Sequence, residues 1–241
     1  MIELSHVSKT YPPNTKAVED LTFIVPPGEI VGFLGPNGAG KTTTLKMITG
    51  ILTPDTGEIR VCGLDVVKDS LKAKQKIGFV PDNPNMFLRL KGVEYLNFMG
   101  DAYDVPTELR RERIALLSKI FEIDHALSDF LENYSHGMRQ KVILISALMH
   151  DPEVLVLDEP MTGLDPKAVF ALKNLLRECA EKHKTVFFST HILDVAERFC
   201  DKVALIHKGQ LLFYGTLQDM KKHCQRDASL ETLFLEMTEN A

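Results

Sequence analysis

Residues Gly35 to Thr42 read GPNGAGKT, a Gly-x-x-x-x-Gly-Lys-Thr string that directly follows the apolar run Ile30-Val31-Gly32-Phe33-Leu34. No other stretch constrains the fold as tightly. A buried strand feeds a glycine-rich loop, and Lys41-Thr42-Thr43-Thr44-Leu45-Lys46-Met47-Ile48 starts a helix. Gly35, Gly38 and Gly40 let the backbone wrap closely, so that successive N–H groups point inward at an anion. The positive end of the helix adds to that field. The candidate phosphate cradle is therefore Gly35, Pro36, Asn37, Gly38, Ala39, Gly40, Lys41, Thr42 and Thr43. Lys41 reaches terminal phosphates, and the Thr42 hydroxyl suits Mg²⁺.

A second constellation lies far downstream. Val154 to Pro160 read VLVLDEP. An apolar strand ending in two acids places both carboxylates at the carboxyl edge of a parallel sheet, where such sheets bind ligands. Asp158 suits the Mg²⁺ shell, and Glu159 suits the orientation or deprotonation of an attacking water. Together the two motifs specify a phosphate-loop ATPase or GTPase.

The rest of the chain organises around them. Ile2 to Val7 and Leu21 to Val25 are expected as strands, with Glu58 to Val61 and Ile77 to Val80 as shorter ones. Thr53 to Gly57 is expected to end the helix after the loop, and Lys68 to Lys76 to form a polar-faced helix. From Gly92 to about Leu148 apolar positions recur at helical spacing, with no strong strand signal. This stretch is expected to be a helical lobe inserted into an α/β core. Strands resume at Val154 to Leu157 and Val186 to Phe188, with helices over Val169 to Cys179 and Ile192 to Phe199. Val203 to Ile206 and Leu211 to Tyr214 form a closing pair, and the chain from Thr216 is short and helical.

Composition narrows the partners. A net charge of -5 argues against nucleic acid. Cys62, Cys179, Cys200 and Cys224 form no C-x-x-C pair, which suggests reduced thiols in a cytosolic protein. No secretory signal is visible, and the longest apolar stretch, Val142 to Met149, is too short to span a bilayer. The chain is expected to be soluble, so a membrane process would need another chain to cross the bilayer.

Tyr134-Ser135-His136-Gly137-Met138-Arg139-Gln140-Lys141 precedes a helix running to His150. Ser135 and the Gly137 backbone make a second anion-binding patch at that helix start. With this string between the two earlier motifs, nearly the whole chain resembles the ATP-binding subunits of ABC transporters. The resemblance implies one ATPase domain over 1–241. Within it, 1–85 and 150–215 form a RecA-like P-loop NTPase core with an antiparallel β subdomain, 86–149 an inserted α-helical subdomain, and 216–241 a short helical tail. It also implies that Ser135 and Gly137 bind the γ-phosphate of ATP held by the opposite subunit. Thr162-Gly163-Leu164-Asp165 resembles the D-loop, placing Asp165 near the other nucleotide. His191 resembles the switch histidine that contacts the γ-phosphate and steadies the catalytic water. Tyr11 resembles the aromatic that stacks on adenine. Lys41, Glu159 and His191 would then be catalytic, with ATP and Mg²⁺ as cofactors.

Two departures from the family pattern involve three positions. Asp82 follows Ile77-Gly78-Phe79-Val80-Pro81 where the family usually has glutamine; it is expected to ligate Mg²⁺ and keep the relay to the membrane partner. His136 and Met138 stand where the commonest signature has glycine and glutamine. The implied assembly is two ATPase subunits, identical or not, head to tail on the inner face of the membrane beneath an integral permease. The contact is expected around Asp82 to Leu90, with Met86, Phe87 and Leu88 as an apolar patch. The signature's form and the short tail look similar to exporter-type ATPases. The alternatives are a soluble ABC ATPase outside transport and a regulatory ATP-binding subunit.

Overall fold

The computed structural model describes residues 1–85 and 87–239. Met86, part of the expected apolar patch, lies outside the described residues. The chain begins with a long hairpin, β1 (Ile2–Tyr11) and β2 (Thr15–Val25), then enters β3 (Ile30–Leu34), the glycine loop and α1 (Lys41–Ile48). Next come β4 (Thr56–Val61), β5 (Leu64–Asp65), α2 (Ser70–Gln75) and β6 (Ile77–Val80). The α-helices α3 (Gly92–Ala102), α4 (Thr107–Ile120) and α5 (His136–Met149) follow, with short 3-10 turns at Asp124–Ala126 and Leu131–Asn133 between the last two. Then β7 (Val154–Asp158), α6 (Pro166–Glu181), β8 (Thr185–Thr190) and α7 (Leu193–Phe199) alternate. The hairpin β9 (Lys202–His207) and β10 (Gln210–Gly215) precedes α8 (Leu217–His223) and α9 (Leu230–Glu239).

The strands sort into two sheets. One has the order β10-β9-β3-β8-β7-β6, parallel except for the last hairpin strand, β10. The other is antiparallel, with the order β2-β1-β4-β5. β3, β7 and β8 are buried along their whole length, as continuous apolar runs flanked on both faces require. Phe33 and Phe187 of the parallel sheet meet Phe23 of the antiparallel one, with ring centroids 5.2–6.1 Å apart. These rings, with Leu45, Met47 and Ile59, close one core between the sheets and α1. A second core lies on the opposite side, where α5 and α6 cover β7 and β8 and where α3 and α4 pack on α5 through Tyr95, Leu96, Leu117 and Phe121.

Helix starts follow local chemistry. Ser135 caps α5 by accepting from Met138 N at 3.2 Å, and Asp165 caps α6 by accepting from Ala168 N at 2.9 Å with Pro166 at the first helical position. The strands differ from expectation at one end of the molecule. β1 runs on to Tyr11 and β2 starts at Thr15, so Tyr11 belongs to a strand instead of linking two. The register shifts between Leu4 and Val7 and again by Lys9, while His6 and Asp20 take φ of 51° and 53°. Such bulges break the alternation by which a strand is read. α1 closes at Ile48, before Thr53 is reached. No helix among the described residues is long and apolar enough to cross a membrane.

Candidate nucleotide site

The loop from Gly35 to Gly40 is shaped by backbone from distant parts of the chain. A Cβ on Gly35 would lie 2.4 Å from the Ile206 carbonyl oxygen, and one on Gly40 would lie 2.3 Å from that of Ala17. Gly40 also takes φ of 107°, which side chains rarely adopt. Gly209 N donates to Ala39 O at 3.0 Å, so the β9–β10 turn holds the loop from behind. Gly38, with φ of 81°, has nothing within 4 Å of its missing Cβ and opens toward the site.

In front of the loop lies a cavity of about 410 Å³. It gathers Asn37, Gly38, Gly40, Lys41, Thr42 and Thr43 with Asp82, Asp158, Glu159 and His191; Ala17 and Thr162 complete its wall. Lys41 is 7% exposed and folds back on its own loop, donating to Gly35 O at 2.7 Å and Pro36 O at 3.2 Å. Burial pulls its pKa below the usual lysine value, opposed by the charges of Glu159, Asp158 and Asp82.

The two acids after β7 have distinct surroundings. Asp158 is buried and accepts from Ser189 Oγ at 2.6 Å. The same Ser189 oxygen accepts from Glu159 N at 2.9 Å, which fixes both acids to the end of β8. Glu159 takes φ of 48°, and its Oε2 lies 3.0 Å from His191 Nδ1. Ser189 is a site residue that motif reading misses: a serine at a strand end carries no sequence signal until the neighbouring strand is known.

Ser135, Gly137 and Asp165 do not line this cavity, and neither does Tyr11, which is 38% exposed at the end of β1. Ser135 and Gly137 form the start of α5, packed on the turn that precedes α6. A Cβ on Gly137 would meet Gly163 O at 2.4 Å, so the two backbones touch. Gln140 Nε2 donates to Pro160 O at 3.3 Å, and Lys141 pairs with Asp165 at 2.7 Å. The Lys141 hydrogen bond, with the Ala168 N–H, lowers the Asp165 pKa.

Comparison with known proteins assigns this arrangement. The ABC transporter family model matches residues 18–162. ABC transporter ATP-binding protein NatA of Bacillus subtilis (strain 168) is 35% identical over 98% of this chain and 97% of its own length. Nod factor export ATP-binding protein I of Paraburkholderia xenovorans (strain LB400) is 36% identical over 89% of this chain and 70% of its own. A solved ATP-binding subunit of an ABC transporter superposes with a TM-score of 0.94, at 34% identity, covering 99% of each chain. The dimeric ATP-binding cassette MJ0796, in a post-hydrolysis state bound to ADP and Pi, superposes with a TM-score of 0.82 at 27% identity, covering 90% of this chain and 99% of that one. The two sheets and the glycine loop are thus those of a P-loop NTPase, and the chain belongs to the ABC transporter family as one of its ATP-binding ATPase subunits.

Proposed function

We propose that this chain is the Mg²⁺-dependent ATPase of an exporter, working as a head-to-tail pair beneath a membrane permease on the cytoplasmic face. The observation that carries the pairing is the separation of two anion-binding features. Lys41, Thr42 and the acids share one cavity, and the Ser135–Gly137 helix start stands outside it. Each copy therefore offers two half-sites, and a second copy in reverse orientation completes both. Export is supported by the relative whose name states Nod factor export. We assign the α/β core and β subdomain to 1–85 and 150–215, the helical subdomain to 86–149 and the tail to 216–241.

The donor set fits a nucleotide carrying a hard cation. Asp82, Asp158 and Glu159 face one cationic side chain, Lys41, across the cavity. No three His, Cys, Asp or Glu side chains converge as a metal centre among the described residues, so a cation here would share its shell with phosphate oxygens. Thr42, Asp158 and Asp82 would hold Mg²⁺, which would supply charge neutralisation on the transferring phosphoryl group. Lys41 exchanges the Gly35 and Pro36 carbonyls for phosphate oxygens. Glu159 accepts the proton of the attacking water, and His191, 3.0 Å away, holds that carboxylate and the water in line. Tyr11 stacks on the base, while Ser135, Gly137 and Asp165 serve the nucleotide of the mate.

Permease contact is assigned to the segment after Asp82. Phe87 is 48% exposed and sits on Phe98, 49% exposed, with centroids 5.4 Å apart. Phe87→Asp is expected to lose the copurifying membrane partner with the fold intact. The pairing is tested with Glu159→Gln: ATP with magnesium chloride should double the mass seen by light scattering. A mass that stays single, with nucleotide bound, refutes the pair.

A further inference from the structure

Arg139 lies in the first turn of α5, four residues after Ser135, and its backbone N donates to Ser135 O at 3.1 Å. Each nitrogen of its guanidinium reaches a different acceptor. Nε donates to Leu131 O at 2.9 Å and Nη2 to Glu132 O at 3.0 Å, which fixes the turn leading into the signature. Nη1 donates to Asn85 Oδ1 at 2.6 Å, across 54 residues of chain. Asn85 stands three residues after Asp82, in a short turn in which Asn85 N donates to Asn83 Oδ1 at 3.0 Å.

The next two residues of α5 reach the segment that follows β7. Gln140 reaches Pro160, directly after Glu159, and Lys141 reaches Asp165. Three successive side chains thus touch both loops that carry the acids. The bond to Asn85 stands out among them. It is exposed, and exposed contacts contribute little to stability. The planar fork gives it direction, because the guanidinium cannot turn toward Asn85 without changing its angle to Leu131 and Glu132.

We propose that Arg139 is a positioning residue that passes the position of the Asp82 loop to the Ser135 cap. Filling one subunit's cavity then sets how its signature meets the nucleotide of the mate. This rests on the head-to-tail pairing proposed above.

The test uses the full chain in a Glu159→Gln background, with ATP and magnesium chloride. Two constants are measured: nucleotide affinity of the single copy, and ATP-driven pairing by sedimentation. Asn85→Ala and Arg139→Ala are expected to leave single-copy affinity within about twofold and to weaken pairing about fivefold or more. The double variant should pair no worse than Arg139→Ala, Asn85→Asp should pair like the parent, and Arg139→Lys should not. Asn85→Ala keeps the test valid if Arg139→Ala misfolds. Pairing unchanged in Asn85→Ala, or losses that add independently, overturns the role of Arg139 and leaves the head-to-tail pair intact. A parent that does not pair overturns the pair itself, and this inference with it.

Discussion

Ser189→Ala tests how the two acids are held. The hydroxyl donates to the buried Asp158 carboxylate at 2.6 Å and accepts from Glu159 N at 2.9 Å. A hydrogen bond to a charged group contributes about 1.5–3 kcal/mol, and leaving the Glu159 N–H without its acceptor costs about 1 kcal/mol more. The sum is about 3 kcal/mol. For a chain of this length 1 kcal/mol moves the melting temperature by about 2–4 °C, so the variant should melt about 6–12 °C lower. Calorimetry of the nucleotide-free protein measures this. Ser118→Ala is the control: it is also buried, but among the described residues its hydroxyl bonds only Ala115 O of its own helix, at 3.3 Å. That variant should lose no more than about 1 kcal/mol. Turnover of Ser189→Ala should fall about tenfold as the acids lose orientation. A Ser189→Ala protein that melts no lower than Ser118→Ala refutes the bridging role.

Glu159→Gln should keep ATP binding and lose about 10²–10⁴-fold in steady-state turnover; normal turnover removes Glu159 from the role of base. Gly40→Ala combines a strained φ of 107° with a Cβ 2.3 Å from Ala17 O, so it should cost about 3 kcal/mol by urea unfolding and abolish ATP binding measured by calorimetry. Asp65 accepts from Val67 N at 2.8 Å and Lys68 N at 3.1 Å, and these bonds, the first above all, hold its carboxyl at about 2. The folded value lies below the unfolded one, so this stabilisation is full above about pH 4 and fades as pH falls toward 2. Asp65→Asn should therefore be less stable than the parent at pH 7, with the gap closing by about pH 2 in a pH series of urea melts.

The parallel strands and the phosphate loop were legible because burial on both faces writes unbroken apolar runs, as in Val154 to Leu157. The helical character of the middle stretch was legible from spacing alone: α3 and α4 fall inside it and α5 ends one residue beyond it, at Met149. The antiparallel hairpin was half legible. Ser8 to Tyr11 and Thr15 to Asp20 lie beyond bulges that shift the side-chain alternation, so the pattern stops before the strands do. β5 is two residues long and carries no periodicity. In the site, residues contributed by a motif could be named in advance, and those contributed by a neighbouring strand could not. Ser189 reaches the acids through the pairing of β8 with β7, and Ala17 reaches the loop from the antiparallel sheet; one-dimensional spacing encodes neither.

The phosphate loop occupies the first fifth of the chain, yet its shape depends on the last. Ile206 crowds Gly35, and Gly209 bonds Ala39, so the mould for the loop is cast from residues made about 170 positions later. On the ribosome the motif emerges early, long before its backing strands exist. A nascent chain halted before β9 would carry every letter of the motif without the backing that Ile206 and Gly209 give it. A complete seat for nucleotide is therefore expected only once synthesis has passed the β9–β10 turn.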